Sequence, residues 1–119
     1  MNKWITIGGI LGFLGVAIGA FGAHSLKPHI LPELLESYKT GVLYHLIHAV
    51  VITVIGFSGR REYNKCALFL LIGILLFSFS LYIYSLTGVK ALAIITPFGG
   101  ISFLIGWAIL IIASVRKKN

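Results

Sequence analysis

Apolar residues fill four runs of the chain, at about residues 5–23, 38–57, 66–87 and 96–115, and the charges and prolines gather mostly between them. Each run reaches the length of about 20 residues that an α-helix needs to cross about 30 Å of hydrocarbon. The pattern predicts an all-α fold, a four-helix transmembrane bundle. Within the runs, small and polar residues recur at helical steps. Gly8, Gly12, Gly15, Gly19 and Gly22 follow one another at steps of 4, 3, 4 and 3, which lines them along one helix face. A face without side chains lets another backbone come close, as small residues do at helix contacts inside membranes. Gly99, Ser102, Gly106 and Ala113 give the last run a similar face. The two glycine-bearing faces predict that the first and last spans pack closely and antiparallel.

The polar stretches refine this picture. In the loop from Ser25 to Ser37, Pro32 suits the first turn of a helix, and Glu33 and Glu36 complement the positive end of its dipole. A short interfacial helix at about residues 32–37 is expected there, leading into the second span. Helix-start electrostatics account for the two glutamates without acid–base chemistry. At 100° per residue, Ser37, Tyr44, His45 and His48 share one stripe of the second span, its expected inward face, while Lys39 points away and can snorkel to water. Arg60, Arg61, Glu62 and Lys65 make the second loop a solvated one. In the third span Ser78, Tyr82 and Ser85 share a face, with Gly73, Ser80, Tyr84 and Thr87 near the other. The segment from Val89 to Ile95 reads as a short apolar loop carrying Lys90. Thr96 then caps the fourth span, with Pro97 in its first turn.

Composition excludes a soluble domain: of 119 residues, 58% are hydrophobic and only 11% charged, with a mean hydropathy of +1.00. Residues 1–119 read as a single integral membrane domain. The first run follows Lys3, but glycines fill its middle and Leu26-Lys27-Pro28 follows it, so a cleaved signal peptide is not expected. The lone Cys66 excludes an intramolecular disulfide. The net charge of +7 flanks the spans instead of forming a patch with interleaved aromatics. It therefore speaks of topology, and no nucleic-acid partner is expected. If both tails and the second loop share a side, Lys3, Arg60, Arg61, Lys65, Arg116, Lys117 and Lys118 stand against Lys27, Lys39 and Lys90. Seven against three predicts both termini inside, an N-in/C-in arrangement.

With that topology, His24, Tyr44, His45, His48, Ser78, Tyr82, Ser85 and Thr96 fall at a similar depth in the outer half of the bundle. His45 lies about 10 Å along the helix from Tyr38. Polar and ionisable groups at such depth mark a pathway, a site or a satisfied interhelical bond. Three uses fit. The first and favoured one is a neutral cluster that locks the helices together. The second is a small-solute or proton pathway with histidines titrating near neutral pH. The third is a metal, haem or quinone site on His24, His45 and His48, against which stands the lack of a carboxylate or cysteine at that depth. No metal ligand set or cofactor is assigned. No nucleophile with an adjacent base, P-loop or dinucleotide fingerprint occurs, so no catalytic residue is assigned either. The expected role is a non-enzymatic packing or interaction protein. Its partners are the lipid bilayer and, through unused small-residue faces, a homo-oligomer.

Four segments in order, Gly19-Ala20-Phe21-Gly22-Ala23-His24, Tyr44-His45-Leu46-Ile47-His48-Ala49, Leu76-Phe77-Ser78-Phe79-Ser80-Leu81-Tyr82, and Thr96-Pro97-Phe98-Gly99-Gly100 through Gly106-Trp107, resemble the motifs of the YgdD/YwdK-type family (domain of unknown function 423). The resemblance spans nearly the whole chain. It implies a small multi-pass protein of the bacterial plasma membrane, and it implies no activity, substrate or cofactor. The family pattern commonly has Gln at the position of His45 and Gly at that of Phe79. His24 and His48 match it.

Overall fold

The computed structural model describes residues 2–116, so Lys117 and Lys118, counted above for charge, lie outside the described residues. The helices are α1 (Lys3–Phe21), α2 (Pro32–Ser58), α3 (Asn64–Gly73), α4 (Phe79–Thr87) and α5 (Leu92–Arg116). A π turn over Gly22–Leu26 and a 3-10 turn over Lys27–His29 extend α1, and a second π turn, Ile74–Ser78, joins α3 to α4. Among the described residues there are then four helical spans long and apolar enough to cross a membrane: Lys3–His29, Pro32–Ser58, Arg61–Thr87 and Leu92–Arg116.

Local chemistry explains most of the ends. Asn2 caps α1 by accepting the Trp4 N–H at 2.8 Å. Gly59 and Gly88, at φ 66° and 72°, close α2 and α4 in the left-handed conformation that glycine adopts at no steric penalty. Pro32 opens α2 after the extended Leu31. The segment expected as a separate interfacial helix forms the first turns of α2, because Leu35 and Tyr38 are buried and carry the inward face straight into the span. The fourth span also begins earlier than expected. The amides of Leu92, Ala93 and Ile94 already bond to the carbonyls of Val89, Lys90 and Ala91. Pro97 therefore lies inside α5, and Thr96 is no cap. The proline lacks the N–H that would reach the Ala93 carbonyl, one lost bond close to the helix start.

The spans form a flattened bundle with principal extents of 54 × 27 × 16 Å. α1 packs on α2, α2 on the third span, and the third span on α5. The first and fourth spans do not make the close antiparallel pair that their glycines suggested, because each glycine face is taken by the neighbour next in the chain. A Cβ on Gly8 would collide with Thr53, one on Gly22 with Tyr38, and one on Gly15 would sit 2.5 Å from Leu46. Gly56 repays the approach, lying against the backbone of Ile5. On the other side, Gly99 rests on the Phe77 backbone, Gly73 lies beneath the Phe103 ring and Gly106 lies against Leu70. Ser102 adds a bond across the same contact, donating to the Phe69 carbonyl at 2.7 Å. Gly12 is the exception within its stripe, with nothing within 4 Å of a Cβ.

The core joins Trp4 and Leu11 to Ala49, Ile52 and Ile55, and these to Cys66, Leu70, Ile74 and Phe103. Within the third span the two halves serve different neighbours: α3 packs chiefly on α5 and α4 chiefly on α2.

A Gly15→Leu substitution should lower the thermal unfolding midpoint in mild detergent, since overpacking a tight contact costs about 1–3 kcal/mol. Gly12→Leu, facing open space, should leave the midpoint nearly unchanged, with stability within about 0.5 kcal/mol of the parent. Equal behaviour of the two variants would contradict the pairing of α1 with α2.

Candidate functional site

α2 carries the polar centre of the molecule. His45 stands thirteen residues from Pro32 and thirteen from Ser58, at the middle of the helix and about 20 Å from either end. It is fully buried, at 0% exposure. Its Nε2 lies 2.7 Å from the Leu11 carbonyl on α1, and its Nδ1 lies 2.8 Å from the Tyr82 hydroxyl on α4. A carbonyl can only accept, so Nε2 carries the proton. Nδ1 is then the bare nitrogen and accepts the Tyr82 O–H.

His48, 4% exposed, repeats the arrangement with its nitrogens exchanged. Nδ1 donates to the Tyr44 carbonyl at 2.7 Å, and Nε2 accepts the Trp107 indole N–H at 3.1 Å. The indole nitrogen is a donor only, which fixes this tautomer independently. The Phe103 ring stacks on the imidazole at 3.8 Å and 11° between planes, and Trp107 meets it edge-on at 5.9 Å. Each histidine is thus a neutral ring with its one donor and one lone pair both used. Together they tie α2 to α1 and α4 on one side and to α5 on the other.

The remaining candidate residues do not join one cluster. Tyr38, not singled out by its sequence position, donates its hydroxyl to the Ile18 carbonyl at 2.5 Å and tilts its ring over Tyr82. Ser80 and Thr96 bond to each other at 2.6 Å between α4 and α5. Ser85 is buried and donates to the Leu81 carbonyl in its own helix at 2.7 Å. Ser78, at 0% exposure in the π turn, has a buried hydroxyl without a partner. Tyr44 is partly exposed and packs its ring on Phe77 and Phe103. His24 lies exposed in the turn after α1, apart from the others. Among the described residues, no three His, Cys, Asp or Glu side chains come together as a metal ligand set. A groove of about 650 Å³ between α2 and α5 has Tyr44, His48, Phe77, Phe103 and Trp107 in its wall.

Trp107 is the partner that periodicity did not reveal. A signal existed: tryptophan favours the membrane–water boundaries, and one within an apolar run carries an N–H that needs an acceptor. The Leu11 carbonyl left no such trace.

Four apolar spans around two fully hydrogen-bonded imidazoles define a small multi-pass membrane protein. The family model described as "Protein of unknown function (DUF423)" matches residues 18–100. The chain is 40% identical to the UPF0382 membrane protein YwdK of Bacillus subtilis, covering 98% of each chain. It is 37% identical to a UPF0382 membrane protein of Haemophilus influenzae, over 99% of this chain and 98% of the relative. It is 36% identical to the UPF0382 inner membrane protein YgdD of Escherichia coli, over 92% and 87%. The chain belongs to this family of membrane proteins of unknown function. No solved structure matches it.

Two substitutions test the hydrogen-bond assignment. His45→Gln offers one donor and one acceptor at a similar reach and should keep the thermal midpoint, whereas His45→Leu should lower the midpoint through a loss of about 1–3 kcal/mol of stability. Trp107→Phe should destabilise by on the order of 1 kcal/mol by stranding the Nε2 lone pair of His48. Thermal unfolding of the purified variants in detergent reads both.

Proposed function

We propose that the chain is one integral domain of the cell membrane and acts as a non-enzymatic packing and interaction protein. One observation carries this reading: both central histidines have every ring nitrogen committed inside the protein. Neither offers a lone pair to a metal or a substrate. A proton added to His48 would face an indole N–H that cannot accept it, so a relay through this ring would have to break the bond that holds α5. The outer spans support the interaction role. In their most apolar stretches the first and fourth spans have 22% of their residues buried, against 39% and 44% for the second and third. Their exposed faces contact lipid, and a second copy of the chain is the protein partner we assign to them.

Orientation belongs to the same proposal. Lys3, Arg60, Arg61, Lys65 and Arg116 all lie at helix ends or in the loop on one side of the bundle, which we assign to the cytoplasm.

In sealed vesicles the wild-type protein should pass no more protons than empty vesicles do. His48→Ala should lower stability without changing flux. A proton current that disappears in His48→Ala at unchanged fold would replace this proposal with a transport role. A reporter fused to the C-terminus should be active only on the cytoplasmic side, and cross-linking in membranes should capture a dimer.

A further inference from the structure

At the end of the bundle that carries Lys3 and the second loop, the third span and α5 part to leave a cleft of about 630 Å³. Its lining is unlike that of the groove beside His48. Ile109, Ile112 and Ala113 make an apolar wall on α5, and Lys65 and Arg116 stand at its mouth with Glu62. The third span opens beside the cleft with the 3-10 turn Arg61–Tyr63, and Ala113 is the smallest side chain in the lining.

Charge and depth say what fits. Lys65 is the second residue of α3 and Arg116 the last of α5, so both stand where their spans end, at the membrane–water boundary. Neither has an ion-pair partner among the described residues. The Glu62 carboxylate lies 3.6 Å from Arg60 Nη1, which offsets its charge at the rim. Two cations above an apolar wall that runs into the hydrocarbon match a molecule with an anionic head and an acyl chain. Basic pockets between membrane helices hold lipid headgroups in this way.

We propose that this cleft binds an anionic diacyl phospholipid drawn from the surrounding bilayer. Its phosphate lies between Lys65 and Arg116, and one acyl chain follows Ile109 and Ile112 down α5. A free phosphate would use the cations and leave the isoleucine wall idle. A zwitterionic lipid would bring a cation of its own against Lys65 and Arg116.

The test uses the full chain purified in mild detergent, with phosphatidylglycerol, phosphatidylcholine and glycerol phosphate added separately. Retained lipid is read by native mass spectrometry, and the thermal midpoint is read in parallel. Phosphatidylglycerol should remain as a one-to-one adduct and raise the midpoint, because a ligand bound only by the folded state stabilises it. Phosphatidylcholine and glycerol phosphate should do neither. The paired change Lys65→Gln with Arg116→Gln should weaken retention at least tenfold. Lys27→Gln with Lys90→Gln, which removes the same charge elsewhere, should leave retention unchanged. Ile112→Trp should also lower retention with no change in charge, separating the acyl contact from the phosphate contact. The exposed positions of Lys65, Arg116 and Ile112 make loss of fold a minor risk, and helical circular dichroism checks it. Equal retention of the two lipids, displacement of phosphatidylglycerol by glycerol phosphate, or unchanged binding in the Lys65/Arg116 pair would each overturn the proposal.

Discussion

Hydrocarbon offers no hydrogen-bond partner, so a polar side chain at the middle of a membrane helix must find one inside the protein. That constraint organises this bundle. α2 carries two imidazoles near its midpoint, and each is matched to a carbonyl and to an aromatic donor. Three of those four partners come from the three neighbouring segments: Leu11 from α1, Tyr82 from α4 and Trp107 from α5. The fourth, the Tyr44 carbonyl, comes from α2 itself. Satisfying the two rings therefore fixes the azimuth of α2 relative to every other span. Apolar packing alone would do this weakly, because lipid tails are as apolar as the side chains they would replace.

Backbone proximity supplies the second half of the specification. Where α1 meets α2, glycine lies against Thr53, Leu46 and Tyr38, and the Ile5 backbone lies against Gly56. The same device recurs at Gly73, Gly99 and Gly106 between the third span and α5. These contacts draw the helices close enough for Tyr38 to reach the Ile18 carbonyl and for Ser102 to reach that of Phe69. Small residues and interhelical hydrogen bonds act together here, since the absence of a side chain on one helix sets the reach of a hydroxyl on the next.

How far the sequence could be read follows from these same residues. The four spans were legible because length and hydropathy alone decide them. The burial of His45 and His48 followed from their shared stripe. Helical spacing says what a face is able to do, but it does not say which neighbour meets it. Thus the glycine stripe of α1 was visible while its partner, α2 instead of α5, was not. The two histidines sit about 60° apart around the helix, enough for one to reach α1 and α4 and the other α5. The Thr96-Pro97 pair misled because a proline at a helix start and one a turn further in look alike on paper. The amides of Leu92 to Ile94 decide between them.

The π turn at Ile74–Ser78 has a consequence for how one span can serve two masters. Its wide ring, closed by the Phe79 N–H on the Ile74 carbonyl, inserts one residue into the helical count. Because the wide turn absorbs that residue, everything after it falls about 100° behind where a regular α-helix of the same sequence would place it. The turn is thus a phase shifter: the contact face of α3 looks toward α5, and that of α4 looks toward α2. The same sequence wound as a regular α-helix here would carry the same side chains in the same order and aim Tyr82 about a quarter-turn away from His45. The lone buried hydroxyl of Ser78 marks where that change of phase is made.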